Sequence, residues 1–400
     1  MTMGTGLRLL VVDKEMFSGG VETLRMNLLP EMARFCDSIV WVLPPPHDRT
    51  FRDRFRDVPN LAVECISWPR VTLPQVIGAL MRRLPNALFS EQLRRKVSHW
   101  LERWRVQSLS KKNHSTNCLT TCVFSQTPPD TGLPLAGIVC DLNPVIPERI
   151  RDNIVHWLRT ADLIFGISEF TAAELRQLAP DSRSKICAVP LAAPRPGAAK
   201  TDGRLEQVDF YFPGLASPHK GHLVLFRACI LLAHRGVKFS LILSGPEIAG
   251  FRKGQKFSNP GMEETRLFLE QNADELAEKI VIAGDLTPEQ IGKIYRSTRC
   301  VVLPSSYEGF GMPLAEALRF GKQVVCSDIP TFREQVEMYQ ATKLVQFVPA
   351  DNPALLADAM ARALDEPVSV PVEEADRRMA VWTWTDVARR CCDKLNALRA

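Results

Sequence analysis

Residues 301–334 read VVLPSSYEGFGMPLAEALRFGKQVVCSDIPTFRE, and the reading of this stretch decides the fold. A short apolar run at 300–303 predicts a buried parallel strand. Pro304, Ser305 and Ser306 then turn the chain into the loop Glu308-Gly309-Phe310-Gly311, where two glycines let the backbone approach a ligand closely. Pro313 suits the start of a helix, where a missing N–H costs nothing. The helix is predicted over 313–320, with Gly321 as its C-terminal cap, and a second strand over 323–326. One carboxylate, Glu308, lies in the loop, and another, Glu316, eight residues later in the helix.

This order has a chemical use. The amides of Phe310, Gly311 and Met312 point unpaired donors, at the positive end of a helix dipole, to whatever sits above the strand, and a phosphate fits there. Glu308 and Glu316 accept hydrogen bonds and suit sugar hydroxyls. A nucleotide-diphosphate sugar satisfies all three features at once. The competing reading is an ordinary α/β unit with Glu308 solvated and Glu316 capping a neighbouring group, which is the commoner case for a lone glycine loop.

Glu308 and Glu316, with seven residues between them inside PSSYEGFGMPLAEALRFGKQVV, resemble the donor-site motif of the family 4-like (group 1) retaining glycosyltransferases of the GT-B superfamily. A dozen positions around the two glutamates agree. The resemblance implies that Glu308 contacts hydroxyls of the transferred sugar and Glu316 the ribose of the nucleotide.

With 400 residues, 46% of them hydrophobic, the chain suits two globular domains rather than one. No apolar run approaches the roughly 20 residues of a membrane-spanning helix, and the run at 7–12 is too short and wrongly flanked for a signal peptide. The eleven cysteines include no C-x-x-C pair, which predicts reduced, buried thiols and a cytoplasmic protein. Of the net charge of +5, residues 70–112 hold ten Lys and Arg against two Glu, a net +8, so the rest sums to −3. A short helix is predicted around Ile77, Leu80, Met81 and Leu84, and a second around Leu93, Val97, Trp100, Leu101 and Trp104 with Arg94, Arg95, Lys96, Arg103 and Arg105 about it. Such a basic, Trp-bearing segment suits the anionic inner face of a membrane as a peripheral contact. A surface helix packed on its domain accounts for it equally. No nucleic-acid-binding module accompanies the charge, so nucleic acid is not an expected partner.

The first domain is expected over 1–192. A strand at 7–13 leads through Phe17-Ser18-Gly19-Gly20-Val21-Glu22 into a helix with Leu24, Leu28, Leu29, Met32 and Phe35 at helical spacing. A strand, glycine turn and helix start make Gly19 and Gly20 a candidate anion site, and the resemblance places this loop by the donor diphosphate or the acceptor. Further strands are predicted at 39–43, 118–124, 136–140, 163–167 and 186–189, with Ser168 capping the helix that begins near Thr171. Where the resembled family often carries His-Asp, this chain has Cys140-Asp141. Asp141 is therefore the candidate polar group of that position, a core-adjacent turn aspartate being the equal alternative.

Residues 193–206, rich in Pro, Gly and Ala, read as the linker. The second domain, 207–377, opens with a strand at 208–212 and Pro213-Gly214-Leu215-Ala216-Ser217-Pro218-His219-Lys220-Gly221. The resemblance assigns Gly214, His219 and Lys220 to the pyrophosphate, with Lys220 matching the family's lysine and Leu215 replacing its arginine. Independently, a cation at a helix start opposes the dipole and calls for an anionic partner. One continuous helix is predicted over 263–277. The strand at 280–283 ends at Gly284-Asp285-Leu286, and the resemblance places the nucleotide base by Asp285 and Leu286. Trp382 and Trp384 introduce a last helix over 387–398, and the resemblance implies that a segment 378–400 crosses back to the first domain.

Strands alternating with helices predict two doubly wound, Rossmann-like α/β domains, whose strand ends would converge on a cleft. The expected function is a retaining, metal-independent glycosyltransferase with no cofactor. It would move a mannose- or glucose-like hexose from a UDP- or GDP-sugar to a glycan or lipid-linked acceptor, as in polysaccharide or lipopolysaccharide biosynthesis. Glu308, Lys220 and Asp141 are the catalytic candidates, and no D-x-D sequence is present to hold a metal. The alternatives are an epimerase or phosphorylase on the same scaffold, or a catalytically inactive interaction subunit.

Overall fold

The computed structural model describes residues 6–15, 19–65, 91–124, 126–143, 146–194, 207–252, 254–257 and 259–398, with 91–99 and 101–102 as backbone only. The helix expected around 77–84, Phe17, Ser18, Pro144, Val145 and the linker residues 195–206 lie outside them.

The chain forms two compact units, one of residues 1–190 with 385–400, the other of residues 191–384. In the first, strands β1 (Arg8–Val12), β2 (Ser38–Leu43), β3 (Leu61–Cys65), β4 (Asn117–Thr120), β5 (Leu135–Val139), β6 (Leu163–Gly166) and β7 (Ile186–Ala188) form one sheet in the order 3-2-1-4-5-6-7. Every pairing is parallel. The strands are short and apolar because helices cover the sheet. These are α1 (Gly20–Met32), α2 (His47–Arg54), α3 (Glu91–Lys112), α4 (Glu148–Thr160) and α5 (Glu169–Leu178). Its core gathers Leu10, Val12, Cys118, Val139, Trp157 and Ile164, all buried. Ser168 caps α5 as expected, its Oγ accepting from the Thr171 amide at 2.9 Å.

The second unit repeats the plan with β8 (Val208–Pro213), β9 (Leu241–Ser244), β10 (Ile280–Gly284), β11 (Thr298–Leu303), β12 (Gln323–Ser327) and β13 (Val345–Val348), in the order 10-9-8-11-12-13. Again every pairing is parallel. Helices α6 (His222–His234), α7 (Glu263–Gln271), α8 (Ala273–Leu276), α9 (Pro288–Ser297), α10 (Met312–Arg319), α11 (Pro330–Met338), α12 (Pro353–Asp365) and α13 (Val372–Met379) surround it. The last helix, α14 (Trp384–Ala397), belongs from Thr385 onward to the first unit. There Asn117 Nδ2 donates to the Leu395 carbonyl at 3.0 Å, and Thr385 Oγ1 to Glu31 at 2.8 Å. From Thr385 onward this helix packs within the first unit.

Several boundaries differ from expectation. The strand expected to 124 ends at Thr120, because the Thr121 amide turns aside to donate to Asp13 Oδ1 at 3.0 Å. The single helix over 263–277 is two, broken at Asn272, whose side chain donates back to the Phe268 carbonyl at 2.7 Å. Helix α10 starts one residue before Pro313, with Gly311 in the left-handed region as its N-cap (φ 85°).

In each sheet the strand order reverses once, between β1 and β4 and between β8 and β11. Loops leaving the carboxyl ends of strands at such a point diverge to opposite faces and leave a crevice.

Candidate functional site

The loops after β8 and β11 meet at the reversal of the second sheet. Gly221 (φ +75°) presses against the second loop so closely that a Cβ there would lie 2.1 Å from the Pro304 carbonyl oxygen. Only glycine permits both that angle and that approach. The Ser306 amide donates to the His219 carbonyl at 2.8 Å and completes the junction. These contacts bring two residues far apart in sequence together. Lys220 Nζ donates to Glu308 Oε1 at 2.7 Å and to Oε2 at 2.8 Å, while Ser305 Oγ donates to Oε1 at 2.8 Å. The lysine side chain is 16% exposed and the glutamate 10%. Lys220 and Glu308, assigned separate tasks from the sequence, thus form one largely buried ion pair.

Beside it, the Phe310, Gly311 and Met312 amides find no acceptor among the described residues. Gln335, fully buried on α11, explains their orientation. Its Nε2 donates to the carbonyls of Phe310 and Gly311 and so pins the acceptor side of those peptides inward. A lysine ammonium and three unpaired amides at a helix start are the elements of an anion site.

His219 Nδ1 lies 2.9 Å from Ser217 Oγ. Burial first, then the neighbouring Lys220 charge, lowers its pKa to about 4, so the imidazole is neutral near pH 7. Glu316 faces inward from α10. Its Oε2 accepts from the Tyr295 hydroxyl at 2.7 Å, and burial raises its pKa to about 7. Gly214, Gly245 and Gly284 close the carboxyl edge beyond. The Gly245 amide donates to the Gly284 carbonyl at 2.9 Å, and a Cβ on Gly245 would sit 2.4 Å from the Gly214 carbonyl oxygen. Asp285 is exposed and Leu286 half-buried just past this edge. Leu215, where the resembled family carries arginine, is 40% exposed.

In the first unit, Gly19 N-caps α1 at φ 75°, and a Cβ on Gly19 or on Gly20 would meet nothing within 4 Å. Beneath them lies a network the sequence reading did not find. Fully buried Asp13 accepts from Trp41 Nε1 at 2.9 Å and from the Thr121 hydroxyl at 2.7 Å. Equally buried Arg25 lies 3.3 Å from Asp13 Oδ2 and donates to Thr121 Oγ1 at 2.7 Å. A strand ending in aspartate and an arginine on the apolar face of the following helix were the available signals. Asp141 is half-buried and accepts from the Asn143 amide at 3.2 Å. Cys140 is a buried thiol. Its hydrogen bond with Cys122, and then burial, push its pKa well up, so it is no proton carrier near pH 7.

Among the described residues no group of three or more His, Cys, Asp and Glu side chains is placed to hold a metal ion. No helix there is long and apolar enough to cross a membrane. Trp100 and Trp104, one turn apart on α3, are 52% and 41% exposed.

Comparison with known proteins places this geometry. Residues 199–380 match the family model of glycosyl transferases group 1. The chain is 27% identical over 208 residues to the O-antigen chain mannosyltransferase B of Escherichia coli, a match covering 49% of this chain and 51% of that protein. Over 194 residues it is 27% identical to a D-inositol 3-phosphate glycosyltransferase of Corynebacterium urealyticum, covering 47% and 42%. The chain thus spans about half the length or less of these relatives. Among solved structures, Anabaena HepE, crystallised with UDP and glucose, superposes over 98% of this chain and 100% of its own at a TM-score of 0.66 and 14% identity. Sucrose-phosphate synthase of Thermosynechococcus elongatus covers 98% of each chain at 0.63 and 13%. These likenesses show the fold, two parallel-sheet α/β units of the GT-B class.

Proposed function

We propose, from the match of residues 199–380 to the group 1 glycosyl transferase family model, that this chain is a retaining glycosyltransferase using a nucleotide-diphosphate sugar. The observation that supports this most is the Lys220–Glu308 ion pair beside the unpaired amides of Phe310, Gly311 and Met312, at the strand-order reversal of the second sheet. On leaving, the diphosphate gains negative charge. Lys220 and the three amides, fixed before the reaction, stabilise that charge without having to reorganise. That arrangement is set on donor binding, when Lys220 shifts from Glu308 to a phosphate oxygen and frees Glu308 to accept hydrogen bonds from the transferred hexose. Glu316 accepts from the ribose, with the base toward Asp285 and Leu286. The acceptor's proton passes to the departing phosphate oxygen, because the buried Cys140 thiol does not titrate near neutrality. No bound cation is needed in this scheme.

GDP-mannose is the first donor to try, since one relative is named a mannosyltransferase, and UDP-hexoses the second, since HepE was crystallised with UDP and glucose. A glycan or lipid-linked acceptor is our reading, supported by the O-antigen chain in one relative's name. We read α3, with Trp100 and Trp104 exposed on a basic helix, as the part that meets an anionic membrane; co-sedimentation with anionic vesicles at low salt is the expected result.

One observation favours a second reading. Leu215 and Cys140 replace the family's cation and imidazole, which suits a subunit that binds donor without turning it over. Incubation with labelled GDP-mannose and UDP-glucose separates the two: the enzyme releases nucleotide and transfers sugar, and the binding subunit leaves the donor intact.

A further inference from the structure

A side-chain hydrogen bond links helices α9 and α10, and the resemblance to other enzymes does not assign it. Tyr295, fully buried on α9, is held by its ring on two sides. It stacks on Phe320 with centroids 5.1 Å apart and 6° between planes, and meets Tyr211 edge-on at 5.1 Å. So fixed, its hydroxyl donates to Glu316 Oε2 at 2.7 Å. Tyr211 is spent elsewhere, its hydroxyl 2.7 Å from Ser244 Oγ.

Among the described residues no ion pair reaches Glu316. On α10, Arg319 turns to Asp376 of α13 at 3.7 Å and to the Ala193 carbonyl at 3.2 Å. Lys322, just beyond α10, donates to the Arg296 carbonyl at 2.8 Å, and the Arg296 guanidinium lies over the Phe320 ring. On the other packed elements Arg378 pairs with Glu374, Arg333 with Asp328 and Lys293 with Glu289. The Tyr295 hydroxyl is therefore the group that opposes burial in setting the charge of this carboxylate.

We infer that Tyr295 is a positioning residue for donor binding, its hydroxyl aiming the Glu316 carboxylate and keeping it ionised so that it accepts from the ribose hydroxyls of a nucleotide sugar. This rests on the reading of the site given above. An ionised carboxylate offers acceptors on both oxygens, and the protonated form replaces one with a donor. Donor affinity should then rise with pH through about 7, where burial and the Tyr295 bond leave Glu316 poised. The tyrosine itself, its pKa pushed well up by burial, stays a donor throughout.

The test compares wild type, Tyr295→Phe, Tyr211→Phe and Glu316→Gln by calorimetric titration with GDP-mannose and UDP-glucose from pH 5.5 to 9, with KM and kcat alongside. Tyr295→Phe should raise donor Kd and KM roughly tenfold at pH 7, as for losing one hydrogen bond to a charged group, leave kcat within about threefold, and move the pH midpoint of binding upward. Tyr211→Phe, which loses a buried hydroxyl that does not touch Glu316, should keep the wild-type midpoint. Glu316→Gln should bind weakly with no midpoint, and adding Tyr295→Phe to it should change nothing further. An unchanged midpoint in a folded Tyr295→Phe, judged by its melting curve beside Tyr211→Phe, overturns the inference while leaving the donor site standing. Failure of wild type to bind any nucleotide sugar overturns the site and the inference together.

Discussion

Lys220 Nζ sits 2.7 and 2.8 Å from the two carboxylate oxygens of Glu308, joining the loop after β8 to the loop after β11 across 88 residues of sequence. Both side chains are largely buried. Removing one leaves the other's charge partly desolvated and unpaired, which costs on the order of 2 kcal/mol. Lys220→Met should lower Tm accordingly. The double variant Lys220→Met/Glu308→Gln should recover most of that stability and none of the donor affinity. Recovery of both would make the pair a strut with no part in binding.

The glycines separate fold from ligand. Gly221→Ala places a Cβ 2.1 Å from the Pro304 carbonyl oxygen at φ +75°. The left-handed angle alone costs about 1–2 kcal/mol, and the clash is with backbone that cannot swing aside. A large loss in chemical denaturation is expected. Gly20→Ala meets nothing within 4 Å and should leave stability within about 0.5 kcal/mol. If a ligand approaches the α1 start, its turnover nevertheless falls; equal turnover would remove the first glycine loop from the site.

Acid stability should carry the mark of two histidines. Burial holds His222, packed between Phe212 and Phe251, at about 3, and holds His219 at about 4. Both are neutral when folded and take a proton when unfolded below the ordinary value of 6.5. Stability is therefore lost as pH falls from 6.5 toward 4, by up to about 1.4 kcal/mol per pH unit for each. His222→Phe should flatten that slope in urea titrations at pH 4.5 to 6.5. A slope identical to wild type contradicts the assignment.

Glu316 works in the opposite sense. Its folded pKa, about 7, lies above the ordinary 4.5, so the folded protein binds the extra proton. Stability is lost as pH rises from 4.5 through 7. Glu316→Gln should gain on wild type across that window, by at most about 3.5 kcal/mol at about 1.4 kcal/mol per unit, and less where the carboxylate edge meets solvent. Parallel stability curves for the two proteins would contradict the raised value.

Much of the fold was legible because parallel strands buried on both faces leave unbroken apolar runs, as at 9–12 within Arg8–Val12 and 300–303 within Thr298–Leu303. The glycine at 311 and the proline at 313 marked the start of α10 to within one residue. What was illegible depends on contact across the chain. Nothing near Asn272 announced a break, since its side chain ends the helix only by turning back to the Phe268 carbonyl. The pairing of Lys220 with Glu308, the hold of Gln335 on the Phe310 carbonyl and the buried Asp13–Arg25 pair each join elements whose neighbourhood is set by strand order. Local spacing carries no trace of the first two, and only the Asp13–Arg25 pair left a signal, a strand-end aspartate and an arginine on the apolar face of the next helix. Trp384 was read as leading into the last helix, yet is its first residue, with 3% exposure, because an aromatic at a helix start reads locally like a turn.

The central claim is that a nucleotide-diphosphate sugar binds the second unit at Lys220, Glu308 and Glu316. Calorimetric titration of wild type, Lys220→Met and Glu308→Gln with UDP, GDP and their hexose conjugates tests it most directly. The account predicts one donor binding at one site per chain, with Lys220→Met weakening the free nucleoside diphosphate and the nucleotide sugar alike, and Glu308→Gln weakening the nucleotide sugar more than the free nucleoside diphosphate. Binding indifferent to both substitutions, or none by any nucleotide sugar, would contradict it.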